Sequence, residues 1–208
     1  MLTNHSKYTK MNIVHMNITG GDALSRIIEN PKQLILKKAE EILYNDGYSK
    51  LSMRAVSKAC NIALGTIYNY YPTKKDLVIE MMTDYWKDYL YSVRKIADSN
   101  DDIYIKLKNI FDKLKIFFKS FRQYWLTPDL YDRPDYVEGG LKKEYSFLEN
   151  IITIVEDILI KEQCDNNIKI KLGTHETANF IIMNFVTMVQ MPLFKYSSFE
   201  LFLKELFK

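Results

Sequence analysis

Histidine, cysteine, proline and glycine are all scarce in this chain of 208 residues: three, two, five and seven respectively. Two cysteines, Cys60 and Cys164, exclude a disulfide framework and a four-cysteine zinc site. So few Gly and Pro leave too little punctuation for a many-stranded β fold, which needs a turn about every ten residues. No apolar run approaches the roughly 18 residues of a membrane span, since Asn, Glu, Lys or Thr interrupts each candidate. The first residues, Met1 to Thr19, carry His5, Lys7 and Lys10 and lack the apolar stretch of a secretory signal. Two of the three histidines fall in that tail. The third, His175, begins a His-Glu pair, but its i+4 position is Asn179, so the zinc-protease pattern fails. There is no Gly-rich phosphate loop and no Gly-x-Ser-x-Gly. These absences predict no catalytic set, no metal site and no cofactor, in a soluble, cytoplasmic protein.

What is present is apolar content of 47% and charged content of 26%, enough for a real core and too apolar for disorder. The periodicity is helical throughout. Residues 1–29 read as a flexible extension with one helical turn near Ala23–Ile28. Asn30-Pro31-Lys32-Gln33 supplies an N-cap, Pro at the first helical position and Gln three residues on. Ile35, Ala39, Ile42 and Leu43 follow at helical spacing, and Asp46-Gly47 stops the run. Ser52 caps a second helix with Val56 and Cys60 inward. Thr73 to Asp76 caps a long helix reaching Ala97. Asp101 and Asp102 open another that runs to about Trp125. The stretch 127–140 reads as broken, and helices at about 141–163 and 174–191 follow. Ser197-Ser198-Phe199-Glu200 reads as a capping box for the last helix. The predicted class is all-α, with about nine helices.

Charge divides the chain. Residues 32–78 hold eight Lys and Arg against four acids, while residues 79–208 are slightly acidic. A basic head on an acidic body suits a polyanion bound at one end. Within that head, Ser52 to Tyr71 reads SMRAVSKACNIALGTIYNYY. Two helices joined by so tight a turn need a small residue where they cross, here Ser57, and a residue tolerant of left-handed backbone, here Asn61. Ile62 and Ile67 then face the first helix of the pair. This is a helix-turn-helix, whose second helix enters the DNA major groove. Of its tyrosines, Tyr71 is assigned to the core and Tyr70 to a phosphate, while Tyr68 suits either. Gly65 in mid-helix costs roughly 1 kcal/mol against Ala, which close approach of DNA would explain. Arg54 and Lys74 each stand at a helix start; Arg54 is a candidate base or phosphate contact and Lys74 a candidate phosphate contact.

The run from Ala63 to Tyr71, followed by Pro72-Thr73-Lys74-Lys75-Asp76-Leu77, resembles the signature of tetracycline-repressor-type (TetR) transcriptional regulators. Asp46-Gly47-Tyr48 and Leu51-Ser52-Met53-Arg54 match upstream, so the resemblance covers roughly residues 32–80. It implies a three-helix DNA-binding domain at 30–78 (motif 52–71) and an effector-binding and dimerisation domain at 79–208. Contacts to double-stranded DNA are then expected from Arg54, Ala63, Leu64, Gly65, Thr66, Tyr68, Asn69, Tyr70 and Lys74. This chain departs from the family pattern with Asn61 in place of a turn Gly, Ala63 in place of a capping Ser, and Leu64 in place of a polar residue. Leu64 can offer only apolar contact, as with a thymine methyl.

The body is rich in aromatics. Phe117, Phe121 and Trp125 crowd one segment, Tyr131 and Tyr136 follow, and Met183 lies on a later helix. Most such residues build core, but their number and the broken stretch beside them suggest an effector cavity with aromatic and Met walls. The resemblance implies the same. The expected function is a ligand-responsive regulator, a repressor, that binds a pseudo-palindromic operator as a homodimer and is released by a small, mainly apolar effector. A small α-helical enzyme or carrier of apolar molecules with an incidental helix-turn-helix is the alternative.

Overall fold

A computed structural model describes residues 28–124 and 134–208, leaving the side chains of 134–144 outside the description. The expected N-terminal extension therefore lies almost wholly outside the described residues. The described residues form eight helices and no strand, which is the all-α class with one helix fewer than the approximate expectation. The helices are α1 (Pro31–Asp46), α2 (Met53–Cys60), α3 (Leu64–Tyr70), α4 (Lys74–Ala97), α5 (Ile103–Tyr124), α6 (Pro134–Cys164), α7 (Thr174–Gln190) and α8 (Tyr196–Leu206). The chain divides into two compact units between Met82 and Thr83, so α4 contributes residues to both.

Local chemistry sets the ends of the first helices. The Asn30 side chain accepts from the backbone N–H of Gln33 at 3.2 Å, with Pro31 at the first helical position. Gly47, at φ 84°, takes the backbone where a side chain would be strained and ends α1. The Ser52 hydroxyl accepts from Ala55 N–H at 3.1 Å at the start of α2. Thr73 and Asp76 cap α4 reciprocally: Asp76 N–H donates to the Thr73 hydroxyl at 3.1 Å, and Thr73 N–H donates to the Asp76 carboxylate at 3.0 Å. α1 buries Ile35, Leu36, Ala39 and Leu43, so Leu36 rather than the expected Ile42 completes its inner face. These pack in the first unit with Leu51, Val56, Ile62, Ile67 and the first turns of α4.

The second unit buries one face each of α5, α6, α7 and α8, together with Tyr89 and Val93 of α4. Two sequence-based expectations need correction here. Helix α6 starts at Pro134, not near Leu141, so 134–140 is helical: Pro at the first helical position provides the start, and the helix carries on through Gly139-Gly140. The last helix starts at Tyr196 after Lys195, with no side-chain cap, so the expected Ser197 capping box does not form. Tyr196 is buried there, its ring 5.0 Å from Phe111 and 6.0 Å from Phe185. That burial puts Ser197 inside the helix. The far end of α8 is held by Lys169 N–H, which donates to the Phe207 carbonyl at 3.0 Å.

Two polar ties cross this apolar unit. Lys106 on α5 is buried with its ammonium 3.9 Å from Glu162 of α6, whose other carboxylate oxygen accepts from the Asn167 amide at 2.8 Å. His175 in the first turn of α7 lies 2.8 Å from Glu156 of α6, and the Thr174 hydroxyl donates to the same carboxylate at 3.2 Å. The hydrogen bond to Glu156 raises the His175 pKa above its ordinary value. A raised folded pKa means that the protonated clamp stabilises fully below the unfolded value of about 6.5 and is lost as pH rises through the folded one.

Two outcomes are expected. Lys106→Met leaves Glu162 buried without its counter-charge and lowers unfolding stability in urea by about 3 kcal/mol. A loss under about 1 kcal/mol would show that water already reaches the pair. For His175→Gln, the difference in melting temperature from wild type is largest near pH 6 and fades by about pH 9; a pH-independent difference would remove protonation from the clamp.

Candidate nucleic-acid interface

Helices α2 and α3 cross through a turn whose geometry rests on two side chains. Asn61 sits in the left-handed region at φ 54° and ψ 42°, which Asn tolerates better than most residues. The Ser57 hydroxyl donates to the Ile62 carbonyl at 2.6 Å, and the Ile62 N–H returns to the Ser57 carbonyl at 3.1 Å. A residue without a side-chain donor at 57 would leave the Ile62 carbonyl without this bond. Ile62 and Ile67 are then buried against the unit's core, Ile67 completely. Tyr71 is buried as expected, closing the end of α3.

With Ile67 inward, α3 presents Gly65, Tyr68 and Asn69 to solvent, while Ala63, Leu64, Thr66 and Tyr70 are half-buried. Positions 65, 68 and 69 are related by three and four residues and so share a face. α3 begins after Ala63 with no side-chain cap, as the replacement of a capping residue by Ala requires. Gly65 is open: a Cβ built there meets no atom within 4 Å and its backbone is ordinary helix. Nothing in the described protein accounts for a glycine at that position.

The surrounding charges are available. Arg54 is exposed in the first turn of α2, and Lys50 and Lys58 are exposed as well; none of the three has an acidic partner among the described residues. Lys32 instead pairs with Glu80 at 2.6 Å, and Lys38 with Glu41 at 2.6 Å. Lys74 is held within the head: its ammonium donates to the Tyr48 carbonyl at 3.1 Å and lies 3.5 Å from the centre of the Tyr48 ring. Cys60 is buried beside the Leu34 carbonyl, and burial pushes its thiol up to about 11, so it is not a reactive group.

Of the expected effector residues, Phe117, Phe121 and Met183 have described side chains, and the first two stand together. Phe117 is buried and Phe121 half-buried, with their rings stacked at 5.8 Å. Trp125 and Tyr131 lie outside the described residues, as does the side chain of Tyr136 in the first turn of α6. Met183 is 48% exposed and does not belong to the aromatic cluster: Ile181, Ile182 and Phe185 take the inner face of α7, and helical rotation turns Met183 outward. The structure adds residues that sequence reasoning passed over. Trp86 and Tyr89 of α4 join Phe117 and Phe147, with Trp86 4.0 Å from Phe147 and Tyr89 4.7 Å from Phe117. Their signal was present in the aromatic spacing of Tyr85, Trp86 and Tyr89 along α4.

Comparison with known proteins agrees with the head. Residues 35–81 match the family described as bacterial regulatory proteins, tetR family. An HTH-type transcriptional regulator of Haemophilus influenzae is 25% identical over 126 residues, which is 60% of this chain and 59% of that protein. The chain thus spans less than two thirds of that relative's length. A transcriptional regulator from Cytophaga hutchinsonii shares the fold at a TM-score of 0.68 and 19% identity, over 79% of this chain and 82% of that one. FadR from Bacillus subtilis, in complex with stearoyl-CoA, shares it at a TM-score of 0.53 and 18% identity, over 76% and 84%. At these identities the likeness to the two solved structures is one of fold. The match to the family of bacterial regulatory proteins, tetR family, is thus one of the helix-turn-helix head, residues 35–81.

Proposed function

We propose that the chain is a ligand-responsive transcription regulator, a repressor, whose head binds a pseudo-palindromic operator as a homodimer and whose second unit takes a small, mainly apolar effector. The observation that carries the DNA reading is Gly65, an exposed helical glycine with open space where a Cβ would sit. It weakens α3 without serving the fold, and close approach of a DNA backbone or base edge gives it a purpose. Tyr68 and Asn69 share its face, Arg54 adds a cation at a helix start, and Leu64, Thr66 and Tyr70 flank the face. Lys74 adds an ammonium in the first turn of α4, held by the Tyr48 carbonyl and ring.

The dimer reading is supported by the outer face of α7 and α8. Phe180 and Met183 on α7, and Leu201 and Phe202 on α8, are all exposed, the last two at 64% and 69%. Both helices already bury one apolar face in the unit, so a second apolar face needs another surface. A two-fold arrangement in which each copy supplies both helices would cover it. For the effector, the aromatic cluster around Phe117 and Phe121 offers apolar walls, and the same fold holds stearoyl-CoA in FadR. Release from DNA requires the effector to bind the non-binding arrangement of the dimer more tightly than the binding one.

Retardation of operator-length DNA tests the central reading. Affinity falls with salt, the slope of log affinity against log salt growing by about 0.9 per neutralised phosphate. Gly65→Ala raises unfolding stability by roughly 0.5–1 kcal/mol while weakening operator binding; unweakened binding would take Gly65 out of the DNA contact. Truncation after Pro192 removes α8 and yields monomer or aggregate by light scattering. A stable dimer from that truncated chain would place the interface elsewhere.

A further inference from the structure

Buried polar groups in folded proteins nearly always have a hydrogen-bond partner, so each exception calls for an explanation. Among the described residues, the indole N–H of Trp86 and the hydroxyl of Tyr89 are buried without one. Tyr89 is 7% exposed, and burial raises its pKa far above that of a free phenol, so its proton stays on. The two residues stand three apart on α4, on adjoining positions of one helix face. Both rings bracket the same stacked pair, Phe117 and Phe147, whose centres are 5.2 Å apart: Trp86 lies 5.5 and 4.0 Å from them, Tyr89 4.7 and 5.4 Å. Phe118 and Phe121 on α5, whose rings lie 5.8 Å from that of Phe117, are half-buried. The Tyr196 hydroxyl, which also lacks a partner among the described residues, sits apart from this cluster against Phe111 and Phe185.

Two donors left unpaired in one ring-lined region each cost desolvation that packing alone does not return. Indole N–H can only donate, so what satisfies it must accept. We infer that Trp86 and Tyr89 are the specificity-determining residues of the effector site, and that they select an apolar, ring-sized molecule bearing a hydrogen-bond acceptor oxygen, such as an aromatic ketone. This rests on the proposed effector role of the second unit and narrows it. A hydrocarbon of the same shape leaves both donors unpaired and is discriminated against. A molecule that presents only donors there can pair with the Tyr89 hydroxyl oxygen but leaves the Trp86 indole N–H without an acceptor.

The full chain is titrated calorimetrically with 2-acetylnaphthalene and with 2-ethylnaphthalene, which differ in having and lacking the carbonyl. The ketone is expected to bind more tightly than the hydrocarbon by about fivefold or more, the worth of one hydrogen bond. Tyr89→Phe and Trp86→Phe should each reduce that preference, and the double substitution should abolish it. Without ligand, Tyr89→Phe should melt no lower than wild type, since it removes an unpaired group and no bond. Equal binding of the two naphthalenes, binding of neither, or a preference that survives the double substitution overturns the inference. So does a lowered melting temperature for unliganded Tyr89→Phe, which would mean that water or protein already pairs the hydroxyl. DNA retardation on the same preparations separates the two readings. A chain that retards operator DNA yet shows no ketone preference loses this inference alone, and one that prefers the ketone but retards no operator DNA loses the regulator reading.

Discussion

The left-handed turn at Asn61 is the constraint on which the head depends. Ending α2 there and starting α3 three residues later requires backbone at φ 54°, a small side chain where the helices cross, and an internal partner for the Ile62 carbonyl. Ser57 supplies the last two with one hydroxyl. Once the turn is made, Ile62 and Ile67 must point into the core of α1, α2 and the start of α4. The remaining positions of α3 then have only solvent to face, and Gly65, Tyr68 and Asn69 do so. The outward face of α3 is thus set by the inward one.

The second unit is organised differently, by aromatic surface rather than by a turn. Phe117 of α5 touches rings from α4 and α6, and Phe111 joins Phe185 and Tyr196 further along the same helix. Aromatic rings deliver much apolar area per residue, but Trp and Tyr bring a polar atom into the core with it. Where such an atom finds a partner, as the Tyr85 hydroxyl does on the Phe117 carbonyl at 3.1 Å, the ring is simply structural. Where it finds none, as for Trp86 and Tyr89, the unit holds unspent hydrogen-bonding capacity. The buried Lys106–Glu162 pair and the His175–Glu156 contact tie α6 to its neighbours, the second with a strength that depends on pH.

The proposed division of labour follows from where apolar and charged groups end up. The head buries its apolar core internally and leaves Lys50, Arg54 and Lys58 without acidic partners among the described residues, which suits a polyanion. The second unit leaves Phe180, Met183, Leu201 and Phe202 at its surface, which suits another protein surface. Met183 shows how these two roles can be confused in a sequence, where an apolar residue among aromatics reads as pocket lining although it belongs to an outer face.

The sequence by itself determined the elements whose signals are local. Asn30-Pro31, Ser52, Asn61 and the Thr73–Asp76 pair act within three or four residues of themselves, so α1 to α4 start or stop where those residues stand. The helix-turn-helix and the family likeness of residues 35–81 were legible for the same reason. Signals that compete with tertiary burial were not. The capping pattern at Ser197 yielded to Tyr196, whose ring is worth more buried against Phe111 and Phe185 than the cap is worth formed. The broken reading of 134–140 yielded to a helix begun by Pro134. Only the tertiary structure decided that Trp86 and Tyr89 meet Phe117 and Phe147, because those residues are distant along the chain and no local pattern links them. It decided also which polar atoms in that cluster go unpaired, since a hydrogen bond exists only once both partners have been placed.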